Sequence, residues 1–281
     1  MSETRTVTDR PVEDIERAHL ADPTDRSFAI DRWGVPDDLT DLARRFWFPV
    51  WSVPAGRRAP QRVLQYPVCL LVITAEYARF YGVTTGISVT TLEGDGWAAG
   101  VMLQPAAGAL IGASPVSRWT DRHVDLTDLL GAPGAELTRR MRTLMTGGAG
   151  TEHTHREGGA LYSAMLREHL PVDAEGLLIN HVVAYVEDTP DVTRVHQLCE
   201  RFELTERTLQ RLTRRRLGLT PKWMIQRRRL HEAAERLRGR DVPLASIAAD
   251  LGYSDEAHFV RDFRTVTGMT PGTFSAQFDT P

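Results

Sequence analysis

The sequence predicts an α+β chain, with a small β-rich domain ahead of an all-α domain that contains one helical hairpin twice. Three observations predict it. From residue 68 to 111, short β-branched or aromatic runs alternate with Gly, Pro and Asp. From residue 198 to 278, two degenerate copies of a helix-turn-helix pattern follow each other. A Gly-rich stretch running from Gly147 to Gly159 divides the two kinds of pattern. At 281 residues the chain has room for two domains of ~100–200 residues. Its 42% of hydrophobic residues can fill two cores.

In chain order, residues 1–30 are polar and charged, which predicts a mobile N-terminal tail with no secretory signal. Residues 31–145 form the β-rich domain, with strands expected at 68–74, 78–83, 87–92, 97–104 and 109–111 in a small antiparallel barrel or sandwich. A short helical turn is expected at 124–130 and a longer helix at 136–145, with Leu137, Met141 and Leu144 on one side. Residues 146–174 read as a linker, with a bridging helix at 161–169, and a further helix at 175–187 opens the last domain, 175–281. The longest apolar run, 68–73, is far short of the ~20 residues that span a bilayer. Cys69 and Cys199 fall in different domains and make no disulfide framework. A soluble cytoplasmic protein with no membrane partner is the expectation.

The repeat aligns Leu198-Cys199 with Ile247-Ala248, Thr205 with Ser254, Leu209 with Phe259 and Arg211 with Arg261. Gly218-Leu219-Thr220-Pro221 aligns with Gly268-Met269-Thr270-Pro271. A helix-turn-helix needs a small residue where its helices meet, a turn, and an N-cap on the second helix. Ala248, Gly252 and Ser254 supply these in the second copy, Gly252 by tolerating a positive φ. Phe259 and Phe263, at i and i+4, face inward. In the first copy Cys199 and Glu203 replace the small residue and the glycine, while Thr205 is again an N-cap and Leu209 and Leu212 form the apolar stripe.

Charge separates a nucleic-acid reader from an ordinary hairpin. Residues 192–240 hold 14 Arg or Lys against 5 Glu, a local net of +9 within a chain of net −3, so the remainder carries −12. Arg207, Gln210, Arg211 and Arg214 fall at i, i+3, i+4 and i+7 on one helical face. In a major groove Arg can donate bidentately to guanine and Gln to adenine. An isolated Arg stripe is more often a solvated face, but two N-capped turn units at a fixed offset favour double-stranded DNA. Between the copies, Thr220 and Pro221 start a helix. Trp223, Leu230, Ala233 and Leu237 would bury one side of it, and Arg227, Arg228 and Arg229 would form a surface that faces phosphate or a polymerase rather than read bases. The three point three ways on a helix, so at least one of them would serve only solubility.

The run 247–259, together with Phe263, Gly268 and Thr270-Pro271, resembles the signature of the AraC/XylS transcription regulators. The resemblance covers roughly the last hundred residues. It implies two helix-turn-helix units joined by a central helix over 222–238, with both second helices in successive major grooves about 10 bp apart. Carried over by position, the base-contact candidates are Arg207, Gln210, Arg211, Glu256, Ala257 and Arg261. Backbone-contact candidates are Thr205, Arg214, Ser254 and His258. In the first half, residues 66–73, 100–112 and 124–129 resemble a cupin-like domain of an actinobacterial subgroup, which implies a sensory or dimerisation role. The implied function is a sequence-specific activator that works with RNA polymerase, with a small-molecule effector and a homodimer as further partners. A ligand-independent regulator, or a repressor whose N-terminal domain only dimerises, stays open.

A cupin-type enzyme fused to a DNA-binding module is disfavoured. Its metal site would need about three His and a carboxylate, and the sole His between residues 46 and 145 is His123. His153 and His155 sit in the Gly-rich stretch and read as solvated loop, and Cys69 reads as core. Neither a catalytic residue set nor a cofactor is predicted, and no phosphate loop or nucleophile elbow is present.

Overall fold

The computed structural model describes residues 18–20, 25–239 and 242–278. Of the expected tail, residues 1–17 and 21–24 lie outside the described residues. The remainder is a correction: Ala18 and Leu20 are buried, and β1 (Phe28–Trp33) is an edge strand of the main sheet. Three further strands escaped the sequence reading: β2 (Ala43–Ser52), β3 (Ala59–Val63) and the short last strand at residues 123–125, where Val124 and Asp125 were expected to begin a helical turn that starts only at Leu126. After β3 come β4 (Leu70–Thr74), β5 (Ala78–Tyr81), β6 (Ser88–Leu92), β7 (Asp95–Leu103) and that last strand, β8 (His123–Asp125). Six strands form one antiparallel sheet in the order β1-β2-β7-β4-β5-β8, and β3 pairs with β6 in a second sheet.

Strand periodicity gives the main sheet two apolar faces. Phe46, Phe48, Leu71, Ile73, Val101 and Leu103 enter the large core on one face. That core is closed by α1 (Ala107–Ile111), α2 (Leu126–Leu130), α3 (Ala132–Thr146) and α4 (Glu152–Arg167). Trp47, Trp51, Val72 and Ala98 take the alternate positions and line a cavity of about 310 Å³, whose far wall is the β3–β6 sheet. Cys69 is buried core, and desolvation pushes its thiol up to about 12.

Two local readings are corrected. Residues 109–111 are helical, in α1, and not a strand. The run is too short for period to decide, and the Asn180 side chain accepts the Ala106 N–H at 2.9 Å at the helix start. Gly158 and Gly159 are no linker: they lie buried in α4, where a Cβ would come within 2.9 Å of the Phe48 ring and 3.1 Å of the Phe46 ring. Glycine there permits close helix-to-sheet approach. His155, expected in solvated loop, is buried in the same helix and stacks on Phe48 at 4.7 Å. Thr151 caps this helix by accepting the Thr154 N–H.

The remaining helices are α5 (Ala174–Asp188), α6 (Val195–Arg201), α7 (Glu206–Arg216), α8 (Pro221–Arg238), α9 (Leu244–Asp250), α10 (Glu256–Thr267) and α11 (Pro271–Ser275). Leu198, Leu209, Leu212 and Ile225 belong to the same continuous core as the main sheet. Ile247, Ala248, Phe259, Phe263 and Phe274 form a separate core on α8, and Leu20 and Leu64 of the β-rich half complete it.

Candidate nucleic-acid interface

Each hairpin is built as its sequence dictates, with one exchange of roles. In the first unit α6 leads through a turn to α7, and Thr205 caps α7 by accepting the Thr208 N–H at 3.2 Å. Glu203 holds the turn at φ +54°, the left-handed conformation usually given to glycine. In the second unit Gly252 has φ +73°, and Ala248 is buried against the neighbouring helices. The cap of α10 is Asp255, which accepts the His258 N–H at 2.7 Å, and not Ser254. Asp beats Ser here because the chain turns into helix one residue later than the repeat alignment places it. The Ser254 hydroxyl lies 3.1 Å from Asp255 Oδ2 and 3.0 Å from His258 Nδ1. Accepting the His258 N–H, and then the Ser254 hydroxyl, holds the Asp255 carboxyl below the usual carboxylate range.

On α7, Leu209 and Leu212 are buried, while Arg207, Gln210, Arg211 and Arg214 are exposed together on the opposite face. The Gln210 amide donates to Glu206 at 3.0 Å. On α10, Phe259 and Phe263 are buried, and Glu256, Ala257, His258 and Arg261 are exposed. Thr205 and Ser254 are exposed at the helix starts.

The central helix corrects the expectation for Arg227, Arg228 and Arg229, which do not form a phosphate- or polymerase-facing surface. Arg227 is 2% exposed, lies over the Trp223 ring at 4.3 Å and donates to backbone carbonyls of residues 84–86. Arg228 is buried between Glu232 and the Val192 carbonyl. Arg229 lies 3.8 Å above the Tyr253 ring. The signal that sequence reasoning missed is tertiary, since every acceptor of Arg227 comes from the β-rich half. Arg216, too, is buried, against Asp173 and Glu175 at the start of α5.

Among the described residues no group of three or more His, Cys, Asp or Glu could hold a metal ion, and no helix is long and apolar enough to cross a membrane.

Two capped hairpins on one central helix, each presenting the outer face of its second helix, define a tandem helix-turn-helix protein. A family described as "Helix-turn-helix domain" matches residues 198–277, and a domain of unknown function (DUF6597) matches residues 36–125. The chain is 35% identical over 94 residues to the HTH-type transcriptional activator RhaS of Escherichia fergusonii, covering 33% of this chain and 34% of that protein. It is 38% identical over 80 residues to RhaS of Pectobacterium carotovorum, covering 28% and 29%. The chain thus spans about a third of the length of the curated relatives it matches. Its C-terminal region is a helix-turn-helix domain of the AraC/XylS family. Among solved structures, ToxT from Vibrio cholerae is 10% identical over 91% of this chain and 100% of that one, with a TM-score of 0.41.

Proposed function

We propose that this protein is a sequence-specific DNA-binding transcription regulator, an activator, that lays α7 and α10 in two successive major grooves on one face of the duplex. The observation that carries the reading is the exposed row Arg207, Gln210, Arg211 and Arg214 on a capped helix whose other face is buried. Arg207, Gln210 and Arg211 would read base edges in the first groove, and Glu256, Ala257 and Arg261 in the second. Thr205, Arg214, Ser254 and His258 would meet the phosphate backbone. Arg and Gln are the side chains that donate in pairs to guanine and adenine edges, and helix starts offer free N–H groups to phosphate.

The β-rich half would sense a small molecule in the cavity between its two sheets and pass the signal through the contacts that fasten it to α8. Similarity to activators named RhaS supports the sign of regulation, and RNA polymerase would then be a partner. The test is selection of bound duplexes from a random library at stated salt, because affinity quoted without salt is uninterpretable. Two recovered blocks about one helical turn apart are expected. Recovery of salt-sensitive binding with no preferred sequence would overturn the reading.

A further inference from the structure

We propose that the cavity between the two sheets is a binding site for a flat aromatic molecule of about two rings that carries no positive charge. This rests on reading the β-rich half as the sensor of a DNA-binding regulator, and it names the class of ligand sensed.

The floor of the cavity is made by an unusual strand pairing. Trp47 and Trp51 of β2 stand directly opposite Gly100 and Gly96 of β7. Because these glycines lack a Cβ, both indoles lie down on the neighbouring strand: a Cβ at Gly100 would fall 2.1 Å from Trp47 Cε2, and one at Gly96 would fall 2.3 Å from Trp51 Cζ2. One face of each ring is therefore used against backbone, and both rings line the cavity. Trp51 is fixed further by its Nε1–H, which donates to the Glu93 carbonyl at 3.3 Å. Ala98 stands between the two glycines on the same face of β7 and adds little height to the floor. Flat π faces held open in this way favour a planar partner in offset or edge contact.

Size and charge narrow the class. A cavity of ~150 Å³ holds one benzene-sized ring, so about 310 Å³ corresponds to two fused rings. Of the described residues that line it, Arg32 supplies a positive charge and none is Asp or Glu. Burial lowers the pKa of His19, which also lines the cavity, so that its imidazole is neutral near pH 7. The Asp25 carboxylate accepts from Gln61 Nε2 at 2.7 Å and from the Ser27 N–H at 2.8 Å, and it is not part of the lining. Among the described lining residues a cationic amine would find no acidic partner for its desolvated charge, a cost that a neutral ring system avoids and that the field of Arg32 lessens for an anion.

The far wall gives such a ligand a route to DNA. It consists of β3 and β6, whose chain continuations Leu64 and Ile87 pack in the core of the second helix-turn-helix unit. The His231 side chain of α8 also lies against the Leu64 carbonyl, with Nε2 to O at 2.5 Å.

The test is calorimetric titration of the full chain with three probes, 2-naphthoate, 2-naphthylmethylammonium and decanoate. Naphthoate is expected to bind at one site. Decanoate, which has the anion without the rings, should bind about tenfold more weakly, the ratio that ring stacking can supply. The ammonium, which has the rings without the anion, should also bind more weakly, because its charge would be desolvated beside Arg32. Ala98→Phe, which sets a ring between the two indoles, should abolish naphthoate binding. Trp51→Leu, which keeps an apolar side chain but removes a flat face, should weaken naphthoate and leave decanoate unchanged. Equal binding of decanoate or of the ammonium, no binding of naphthoate, or naphthoate binding that survives Ala98→Phe would overturn the proposal. Library selection runs separately: if naphthoate binds as described but no duplex sequence is selected, the site stands and the regulator reading falls. If a sequence is selected and naphthoate does not bind, the site alone falls.

Discussion

Arg227 Nη2 donates to the backbone carbonyl of Thr85 at 2.6 Å, across the boundary between the DNA-binding half and the β-rich half. The carbonyls of Thr84 and Gly86 lie at 3.4 and 3.3 Å from the same nitrogen. Thr85 is itself braced, since Asp121 accepts its N–H and its hydroxyl at 2.7 Å each. Burial pushes the guanidinium's pKa down and the Asp121 charge opposes that. A cation with carbonyl acceptors retains its charge-assisted hydrogen bonds in such a site. The loop between β5 and β6 thus clasps the central helix that both reading units share.

Replacing Arg227 by Met would keep much of the packing over Trp223 but leave the loop carbonyls without their cationic donor. Hydrogen bonds to a charged group contribute ~1.5–3 kcal/mol, so Arg227→Met should lower the unfolding free energy by about 2–3 kcal/mol. Asp121→Ala, which frees Thr85, should reproduce part of that loss. Denaturant unfolding checks both, and an unchanged midpoint in Arg227→Met would mean that the clasp does not hold the halves together.

Glu203 and Gly252 occupy equivalent turns at φ +54° and +73°. A side chain in the left-handed region costs ~1–2 kcal/mol. Glu203→Gly should therefore stabilise the protein by somewhat less than that, about 1 kcal/mol once the freer unfolded chain is counted. Gly252→Val should destabilise it by ~2 kcal/mol or more, since a branched residue is least tolerant of positive φ. Its Cβ would also come within 3.2 Å of Thr193 Cγ2. Thermal unfolding of the two variants should shift in opposite directions, and a shift of the same sign would refute the account of the turns.

The same pair marks how far the sequence could be read. A glycine at 252 announces its turn because local backbone geometry demands it, and the exposed face of α7 follows from helical period alone. Asp255 was hidden because Ser254 and Asp255 are both good caps and one residue of phase decides between them. Gly158 and Gly159 spell a linker locally, yet their role is set by Phe48 and Phe46 of a strand more than a hundred residues earlier. The arginines at 227–229 of α8, two buried and one half-buried, are the extreme case. Three consecutive charges look solvated until the chain places carbonyls, an aromatic ring and a carboxylate over them.

Asp255 carries a pH signature. Its folded-state pKa is depressed, so the stability it confers is present above the unfolded value near ~3.9 and is lost as pH falls through the folded value. Asp255→Ala should lower the thermal midpoint at neutral pH and flatten the acid limb of the midpoint-against-pH curve. Ser254→Ala, which removes the lesser of the two contacts, should do so more weakly. If Ser254→Ala proves the more damaging, the cap has been assigned to the wrong residue.

Arg211 and Arg214 are exposed on one face of α7 but are expected to behave differently on DNA. Arg211 aligns with Arg261 of the second unit and lies one turn after Arg207, beside Gln210. If its two guanidinium donors meet a guanine edge, Arg211→Ala should cost ~1–3 kcal/mol and relax preference at one base step. Arg214 lies a further turn along, towards the helix C-terminus, where phosphate is the expected partner. Arg214→Ala should weaken every duplex alike and reduce the slope of log affinity against log salt by about one. Gln210 differs from both, because its amide is already engaged by Glu206 in the free protein and must exchange that bond to read adenine. Glu206→Ala should for that reason strengthen binding at the Gln210 step, in addition to removing a negative charge near phosphate. Affinities of the three variants on the selected duplex and on single-base mismatches separate these roles. A loss for Arg211→Ala that is equal on every sequence would move that residue from base edge to backbone.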